Sequence, residues 1–371
     1  LPYLKDEGVL FYNDDQFKEK DLLKAGYEAH TVTDILPANI SCHSVSMTTQ
    51  TLAALAESDL GHSDKKKAKN FYALGLVHWL LQVPLAPTLQ LIEDKFSNKE
   101  AIKEGNQSVL KAGYNFAITI ELPHLIENTI QKKIDNNDSL DFTSGIKAVS
   151  LALAFLTVRT KVPMLVAGYP ITPASNILHD AARLEKFGVT LFQAEDEIAA
   201  ACAALGASFS GSLALTCTSG PGLDLKAETL GLAVMTELPM VVIDVQRSGP
   251  STGLPTKTEQ SDLLMAVYGR HGEAPLPVIA ASSPTDVFFA VIDAFKIAIK
   301  HMTPVILLLD SHIANGAERW EKPDFKTLSF PDIEFATTGA PFDRNSDLAR
   351  PWIKPGTPDL MHRLGGLEKG D

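Results

Sequence analysis

From about residue 146 onward, short apolar runs alternate with longer stretches of helical periodicity. The runs at 164–167, 190–193, 212–216, 240–244 and 305–309 are rich in Val, Ile, Leu and Ala on consecutive positions and end in Gly, Pro, hydroxyl or charged residues. A strand buried on both faces reads this way, whereas a half-exposed strand alternates. Five such strands separated by helices predict an α/β domain with a mostly parallel sheet flanked by helices. Upstream the pattern is weaker. Residues 8–12 and 29–35 read as strands, and residues 47–60, 72–97 and 101–112 as helices, the last continuing into Ala112-Gly113-Tyr114, so this part is also α/β. Residues 132–139 are polar and turn-rich, and an apolar helical pattern follows from Ile146 to Leu156. A domain change is predicted there: 1–135, 136–325, and an extended tail over 326–371.

Composition narrows the possible partners. The chain has 371 residues, 45% of them hydrophobic, enough for two or three cores. Against 33 Lys and Arg stand 45 Asp and Glu, a net charge of −12 that disfavours a nucleic-acid backbone. All eight arginines lie from Arg159 onward, which supports a change of domain before that point. Cys42, Cys202 and Cys217 form no CxxC, so the chain alone supplies neither a four-cysteine cluster nor a disulfide framework, and a reducing, cytoplasmic setting is expected. The apolar runs are too short for a bilayer core of about 30 Å. The chain begins Leu-Pro-Tyr, with no initiator Met and no basic-then-apolar leader, and is expected to be part of a longer protein.

Ligands of parallel sheets sit outside the carboxyl ends of the strands, and there the unusual residues cluster. After the first run comes Gly168-Tyr169-Pro170-Ile171-Thr172-Pro173. Its prolines stiffen a turn, so Thr172 is either a presented hydroxyl or the cap of a helix that Pro173 opens. After the second, Glu195-Asp196-Glu197 opens an Ala-rich helix, where its dipole favours acids. Glu195 and Glu197 are two apart and face different ways, so they are not a carboxylate pair, although one can act alone. The run from Ala199 to Ala204 implies close packing on that helix. Thr216-Cys217-Thr218-Ser219-Gly220-Pro221-Gly222 offers hydroxyls and backbone amides to an anion or a polar ring, with Cys217 read as a small buried residue. No Walker loop and no GxGxxG occur. The fourth run leads into Arg247 and a Gly/Pro/hydroxyl loop. Arg247 suits a carboxylate, Lys257 is a second cation, and His271 is a weaker acid/base candidate. Glu237 reads either as an acid supporting a site from behind or as a turn acid, and Asp310 and His312 lack metal-like partners.

The motifs Tyr169-Pro170-Ile171-Thr172-Pro173, Glu195-Asp196-Glu197, Thr218-Ser219-Gly220-Pro221-Gly222 and Arg247-Ser248-Gly249-Pro250-Ser251-Thr252-Gly253, in this order and spacing, resemble the alpha subunit, with fused gamma domain, of the 2-oxoacid:ferredoxin oxidoreductases, in particular the 2-oxoglutarate type. The resemblance covers nearly the whole chain. Residues 1–135 look like the latter part of the gamma domain, 136–325 like the pyrimidine-binding domain of the thiamine diphosphate fold, and the tail around Pro351, Trp352, Gly365 and Leu367 like the extension that follows it. A Gly-rich segment normal upstream in the family and a further transketolase-like domain are not in this sequence.

The resemblance implies CoA-dependent oxidative decarboxylation of 2-oxoglutarate to succinyl-CoA and CO2, with ferredoxin as acceptor. Pyruvate or broad 2-oxoacid use, or a non-catalytic assembly subunit, are the alternatives. It implies thiamine diphosphate with Mg2+, the diphosphate and metal held mainly by a beta subunit that also carries a 4Fe-4S cluster, coenzyme A as cosubstrate, and an (alpha–beta)2 assembly. This chain then supplies no metal ligands and is inactive alone. Glu197 best matches the family carboxylate that hydrogen-bonds N1′ of the aminopyrimidine, with Glu195 as fallback. Tyr169, Pro170, Ile171, Thr218, Ser219 and Gly220 would line the cofactor, and Thr172, Arg247 and Lys257 would hold the 2-oxoacid.

Overall fold

The structure is a computed structural model that describes residues 6, 8–122, 140–365 and 367. The turn-rich stretch expected at 132–139 lies outside the described residues. Packing divides the chain into two units, residues 1–135 and 136–371.

In the first unit β1 (Val9–Asn13) pairs in parallel with β2 (Ser41–Val45), Val9 opposite Ser41. The strand expected at 29–35 is not there: Val32–Ile35 form a 3-10 turn. Asp34 Oδ2 accepts the amides of His30 and Thr31 at 3.2 and 2.8 Å, and such local bonding competes with strand pairing. The true partner of β1, Ser-Cys-His-Ser-Val, carries no apolar run to betray it. The helices are α1 (Glu19–Lys24), α2 (Met47–Ala54), α3 (His62–Lys67), α4 (Lys69–Leu80), α5 (Ala86–Lys95) and α6 (Glu100–Thr119). The helix expected over 47–60 stops at Ala54, and the one over 72–97 is two helices, broken where Gln82 takes a φ of 52° shortly before Pro84. The helix expected over 101–112 and on into Tyr114 runs further, to Thr119. α4 and α6 cross backbone to backbone. A Cβ on Gly75 would collide with Leu110 O, and one on Gly113 with Tyr72 O. The buried side chains of Tyr72, Leu76, Val109 and Ala117 close around that crossing.

The second unit runs β3 (Leu140–Ser144), α7 (Gly145–Thr160), β4 (Met164–Gly168), α8 (Ser175–Ala181), β5 (Val189–Gln193), α9 (Glu197–Phe209), β6 (Leu213–Thr218), α10 (Pro221–Thr236), β7 (Met240–Gln246), α11 (Leu263–Tyr268), β8 (Val278–Ala280), α12 (Asp286–His301), β9 (Pro304–Asp310), α13 (Ser311–Asn315) and β10 (Ala317–Glu321). Six strands form one parallel sheet in the order β5-β4-β6-β7-β9-β8, while β3 and β10 pair antiparallel apart from it. Alternation along each strand splits the core in two. Val166, Leu215, Val241, Ile243 and Leu307 face α7 and α12, where Leu153, Leu156, Phe288 and Phe295 are buried. Ala167, Ala214, Val242 and Ile306 face the other way, toward Ala204 of α9 and Leu223, Leu230 and Ala233 of α10. β8, a sixth strand of three residues at one edge, has no buried position, and β5 at the other edge has only Val189 buried, whereas the four strands between them are buried almost throughout.

Residues 326–365 form no helix or strand, yet they belong to the second unit. Trp352 is buried and donates its indole N–H to Ser208 O at 3.2 Å, and Arg344 binds both carboxylate oxygens of Glu237 at 2.6 and 3.2 Å. Glu237 is indeed a turn acid, with φ 51° at the end of α10.

Gly113→Ala is expected to force α4 and α6 apart and to lower the stability of the first unit by about 1–3 kcal/mol, the usual cost of overpacking, as measured by chemical denaturation. An unchanged midpoint would mean that the crossing tolerates a methyl group.

Candidate functional site

The strand order reverses between β4 and β6: the chain leaves β4 toward β5 on one side, then crosses to β6 on the other. Such a switch point opens a crevice at the carboxyl ends of the two strands. Tyr169 follows β4, Thr218 ends β6, and their hydroxyls meet across the crevice at 2.8 Å, both buried. Gly222, in the first turn of α10, lies directly on this pair. A Cβ there would collide with Tyr169 OH and Thr218 Oγ1 and come within 3.1 Å of Glu197 Cγ. Glu197, the first residue of α9, is half-buried beside Tyr169 and contributes to pushing its phenol pKa upward, burial being the main cause and the carboxylate a further one.

The three acids therefore have three fates. Asp196 is the helix cap, its Oδ1 accepting Ala199 N at 2.8 Å. Glu195 is exposed, and Glu197 turns into the crevice. The small residues of α9 serve close packing on the sheet, with Ala200, Ala201 and Ala204 buried.

Lys226, absent from the residues singled out by sequence, is wholly buried beneath this corner. Its Nζ donates to Glu197 O at 2.8 Å and Thr216 Oγ1 at 3.2 Å and lies 5.0 Å from the Tyr169 ring centroid. Burial lowers its pKa to about 8. One signal was available: Gly222, Lys226, Leu230 and Ala233 recur at helical spacing along the buried face of α10, and a lysine in that stripe must find partners inside. The Cys217 thiol is pushed up to about 12 by burial, so it is an inert packing residue.

On the far side of β6, Arg247 is nearly buried. Its NH1 and NH2 donate to the carbonyls of Thr172 (2.6 Å) and Thr252 (2.8 Å), while Nε is enclosed without a partner. Expected as a carboxylate clamp, Arg247 thus first braces two loops. Thr172 does not cap a helix, because α8 begins at Ser175 with Ala174 as its N-cap; Ser175 Oγ takes the amide of Ile171 instead. The Thr172 side chain is exposed, between buried Ile171 and buried Pro173, as is Pro170. Thr172 lines a cavity of about 500 Å³ with Asn176, Thr256, Ser311 and His312. Arg247 lines another of about 360 Å³ with Gly220, Ser251, Glu259 and Asp262. The Arg247–Thr172 contact thus joins the walls of the two cavities. A larger groove of about 740 Å³, by Val234, Tyr268 and Leu276, shares no lining residue with either.

Lys257 and His271 are exposed; the Lys257 carbonyl accepts Ser248 N at 3.0 Å. Asp310 caps α13 through His312 N and Ile313 N and accepts Gln260 Nε2 at 2.6 Å.

Three features here would suit the pyrimidine end of a thiamine cofactor: an acid fixed at a helix start, Gly220 on the wall of the cavity of about 360 Å³, and a buried Ser219 hydroxyl with no partner. Among the described residues no group of three or more His, Cys, Asp or Glu is placed to hold a metal ion. No helix among them is long and apolar enough to cross a membrane.

Comparison with known proteins places these loops in context. The family described as pyruvate flavodoxin/ferredoxin oxidoreductase, thiamine diP-bdg, matches residues 158–355, which contain every loop above. The 2-oxoglutarate oxidoreductase subunit KorA of Mycobacterium tuberculosis is 46% identical over 97% of this chain and 56% of its own length. The 2-oxoglutarate synthase subunit KorA of Archaeoglobus fulgidus is 48% identical over 41% of this chain and 44% of its own. Among solved structures, a 2-oxoglutarate:ferredoxin oxidoreductase from Magnetococcus marinus, with 2-oxoglutarate, coenzyme A and succinyl-CoA bound, superposes with a TM-score of 0.78 at 30% identity, covering all of this chain and 60% of that one. The chain thus spans little more than half the length of the relatives that match it throughout.

The buried ammonium has a measurable consequence. The folded pKa of Lys226, about 8, lies below its ordinary 10.5, so the unfolded chain holds the proton more tightly. The penalty is complete below about pH 8 and fades as pH rises toward 10.5, where folding gains stability from this group. The difference in unfolding free energy between wild type and Lys226→Met, followed by denaturation across that range, is expected to move in favour of the wild type as pH rises. A pH-independent difference would show that the group titrates normally.

Proposed function

Because the chain belongs to the pyruvate flavodoxin/ferredoxin oxidoreductase thiamine diphosphate-binding family, we propose that it is the thiamine-activating part of a 2-oxoglutarate:ferredoxin oxidoreductase. That enzyme converts 2-oxoglutarate and coenzyme A to succinyl-CoA and CO2 in the cytoplasm. The observation that carries the reading is the position of Glu197, fixed at the start of α9 and turned into the β4/β6 crevice against Tyr169 and Gly222. Two relatives named for 2-oxoglutarate support the choice of substrate.

Thiamine diphosphate, when bound, supplies the carbanion chemistry that releases the carboxylate of a 2-oxoacid as CO2. Glu197 would hold the pyrimidine ring through N1′ and set the proton on its exocyclic nitrogen. Lys226, fastened to the Glu197 carbonyl, keeps the start of α9 from shifting. Tyr169, Ile171, Thr218, Ser219 and Gly220, all buried, would line the ring, with the exposed Pro170 at the rim. The exposed Thr172 hydroxyl would meet the carboxylate or carbonyl of the substrate, and Arg247 sets its height by gripping the Thr172 carbonyl. Lys257, exposed on the loop after β7, would meet a distal carboxylate.

Mg2+, the diphosphate and the 4Fe-4S cluster would belong to a beta subunit, with electrons passing to ferredoxin, in an (alpha–beta)2 assembly. Residues 1–135 would be a gamma-type domain.

The test is 2-oxoacid-dependent reduction of ferredoxin by the copurified full assembly, with 2-oxoglutarate compared against pyruvate. Glu197→Gln is expected to lower turnover by about 100-fold or more, the usual range for a positioned acid or base, whereas Glu195→Gln stays close to wild type. Full activity in Glu197→Gln would favour a non-catalytic assembly role, and faster turnover of pyruvate would reassign the substrate. Arg247→Ala is expected to lower kcat/KM for the 2-oxoacid by an amount equivalent to roughly 2–5 kcal/mol, the cost of truncating a buried charged contact.

A further inference from the structure

Two carboxyl groups meet at the end of β7 with no donor between them. Asp244 is wholly buried, and its Oδ1 accepts the Gly220 amide at 3.0 Å. Its Oδ2 and the Oδ2 of Asp262 are both enclosed without a hydrogen-bond donor, although the two side chains lie within hydrogen-bonding contact of each other. Ionised carboxylates only accept, and two of them in such contact away from water repel strongly. One proton between them makes one group a donor, satisfies both orphaned oxygens and leaves a single charge.

The neighbours of the pair pull in both directions, the Gly220 amide and the Arg247 guanidinium, whose Nε has no partner, favouring ionisation and the acids favouring the proton. Asp224 of α10 and Glu259 of the loop add negative charge, and the Gly220 amide stabilises an ionised Asp244. Arg247 lies alongside, but its two terminal nitrogens are taken by Thr172 and Thr252. Burial and the mutual repulsion push the pair's proton affinity well above the ordinary carboxylate range.

We propose that Asp244 and Asp262 share one proton and act as positioning residues, a latch that ties the loop over residues 247–262 to the Gly220 turn. The latch closes on a prepared frame. Asp262 N donates to Gln246 Oε1 at 3.0 Å, Gln246 Nε2 donates to Leu309 O at 3.1 Å, and Gln260 is fastened to Asp310. Asp244 is fixed within a central strand, so loss of the proton releases the Asp262 side, and with it the loop whose Thr252 carbonyl helps to seat Arg247. The effect on turnover rests on the functional reading above, whereas the shared proton and the loop's order do not.

Infrared spectroscopy of the full assembly at neutral pH is expected to show the carbonyl band of a neutral buried carboxylic acid, lost in Asp244→Asn and in Asp262→Asn. Hydrogen exchange, corrected for intrinsic rates, is expected to show amides of residues 256–262 losing about tenfold or more in protection from about pH 6 to about pH 9, while the Gly220 amide, held by the fixed Asp244, keeps its protection. Asp262→Asn, whose amide donates at any pH, keeps that protection flat, and Asp262→Ala is poorly protected throughout. A missing acid band, an Asn variant that follows the wild-type pH curve, or an Ala variant as protected as wild type would each overturn the latch. If the band and the protection behave as expected, Asp262→Ala should also lower kcat/KM more than Asp262→Asn does. Full activity of Glu197→Gln would sink the functional reading while leaving the band and the exchange pattern intact.

Discussion

The second unit is organised by the absence of a side chain at Gly222. Because α10 can rest on the Tyr169 and Thr218 hydroxyls, the loops after β4 and β6 close on each other at 2.8 Å, and Glu197 is drawn to the same corner from α9. A methyl group at this position would collide with both hydroxyls and press on Glu197 as well, so the loop-to-loop contact and the helix packing depend on a single point. The same device recurs in the first unit, where Gly75 and Gly113 let two helices touch along their backbones. In both places backbone proximity comes before any side-chain chemistry.

Around that corner the protein buries charge, which is costly unless every group is satisfied. Lys226 is met by a carbonyl, a hydroxyl and an aromatic face, Arg247 by two carbonyls, and Asp310 by two amides and Gln260. These groups connect loops that leave different strands, so the carboxyl end of the sheet is held by polar contacts while its middle is held by Val, Ile and Leu. The Asp244–Asp262 contact fits the same scheme once a proton is counted as its missing donor.

Much of this was legible along the chain. Four of the six strands of the parallel sheet announce themselves as apolar runs because they are covered on both faces and have no polar positions to hide them, while β5 was found although only Val189 of it is buried. The residues after those strands are the unusual ones, and the loops after β4, β5, β6 and β7 all converge on the crevice or on the cavities beside it. What escaped notice had a weak local signal. β2 is polar because it belongs to a two-stranded sheet with little cover, and β8 is three residues long at an edge. The 3-10 turn at Val32–Ile35 was decided by one aspartate binding two amides.

Local pattern along the chain settled the α/β class, the gathering of unusual residues at the strand ends and the acid-rich start of α9, because hydrophobic period and turn residues act over a few positions. Only the tertiary structure decided which of three adjacent acids enters the crevice, that Arg247 grips carbonyls before it meets any ligand, and that Lys226 and the Asp244–Asp262 pair lie beneath the surface. Those outcomes depend on partners 10 to 75 residues away, such as Thr216 for Lys226 and Thr172 for Arg247. A linear pattern holds no record of which backbone carbonyl will face a given side chain once the strands are in register.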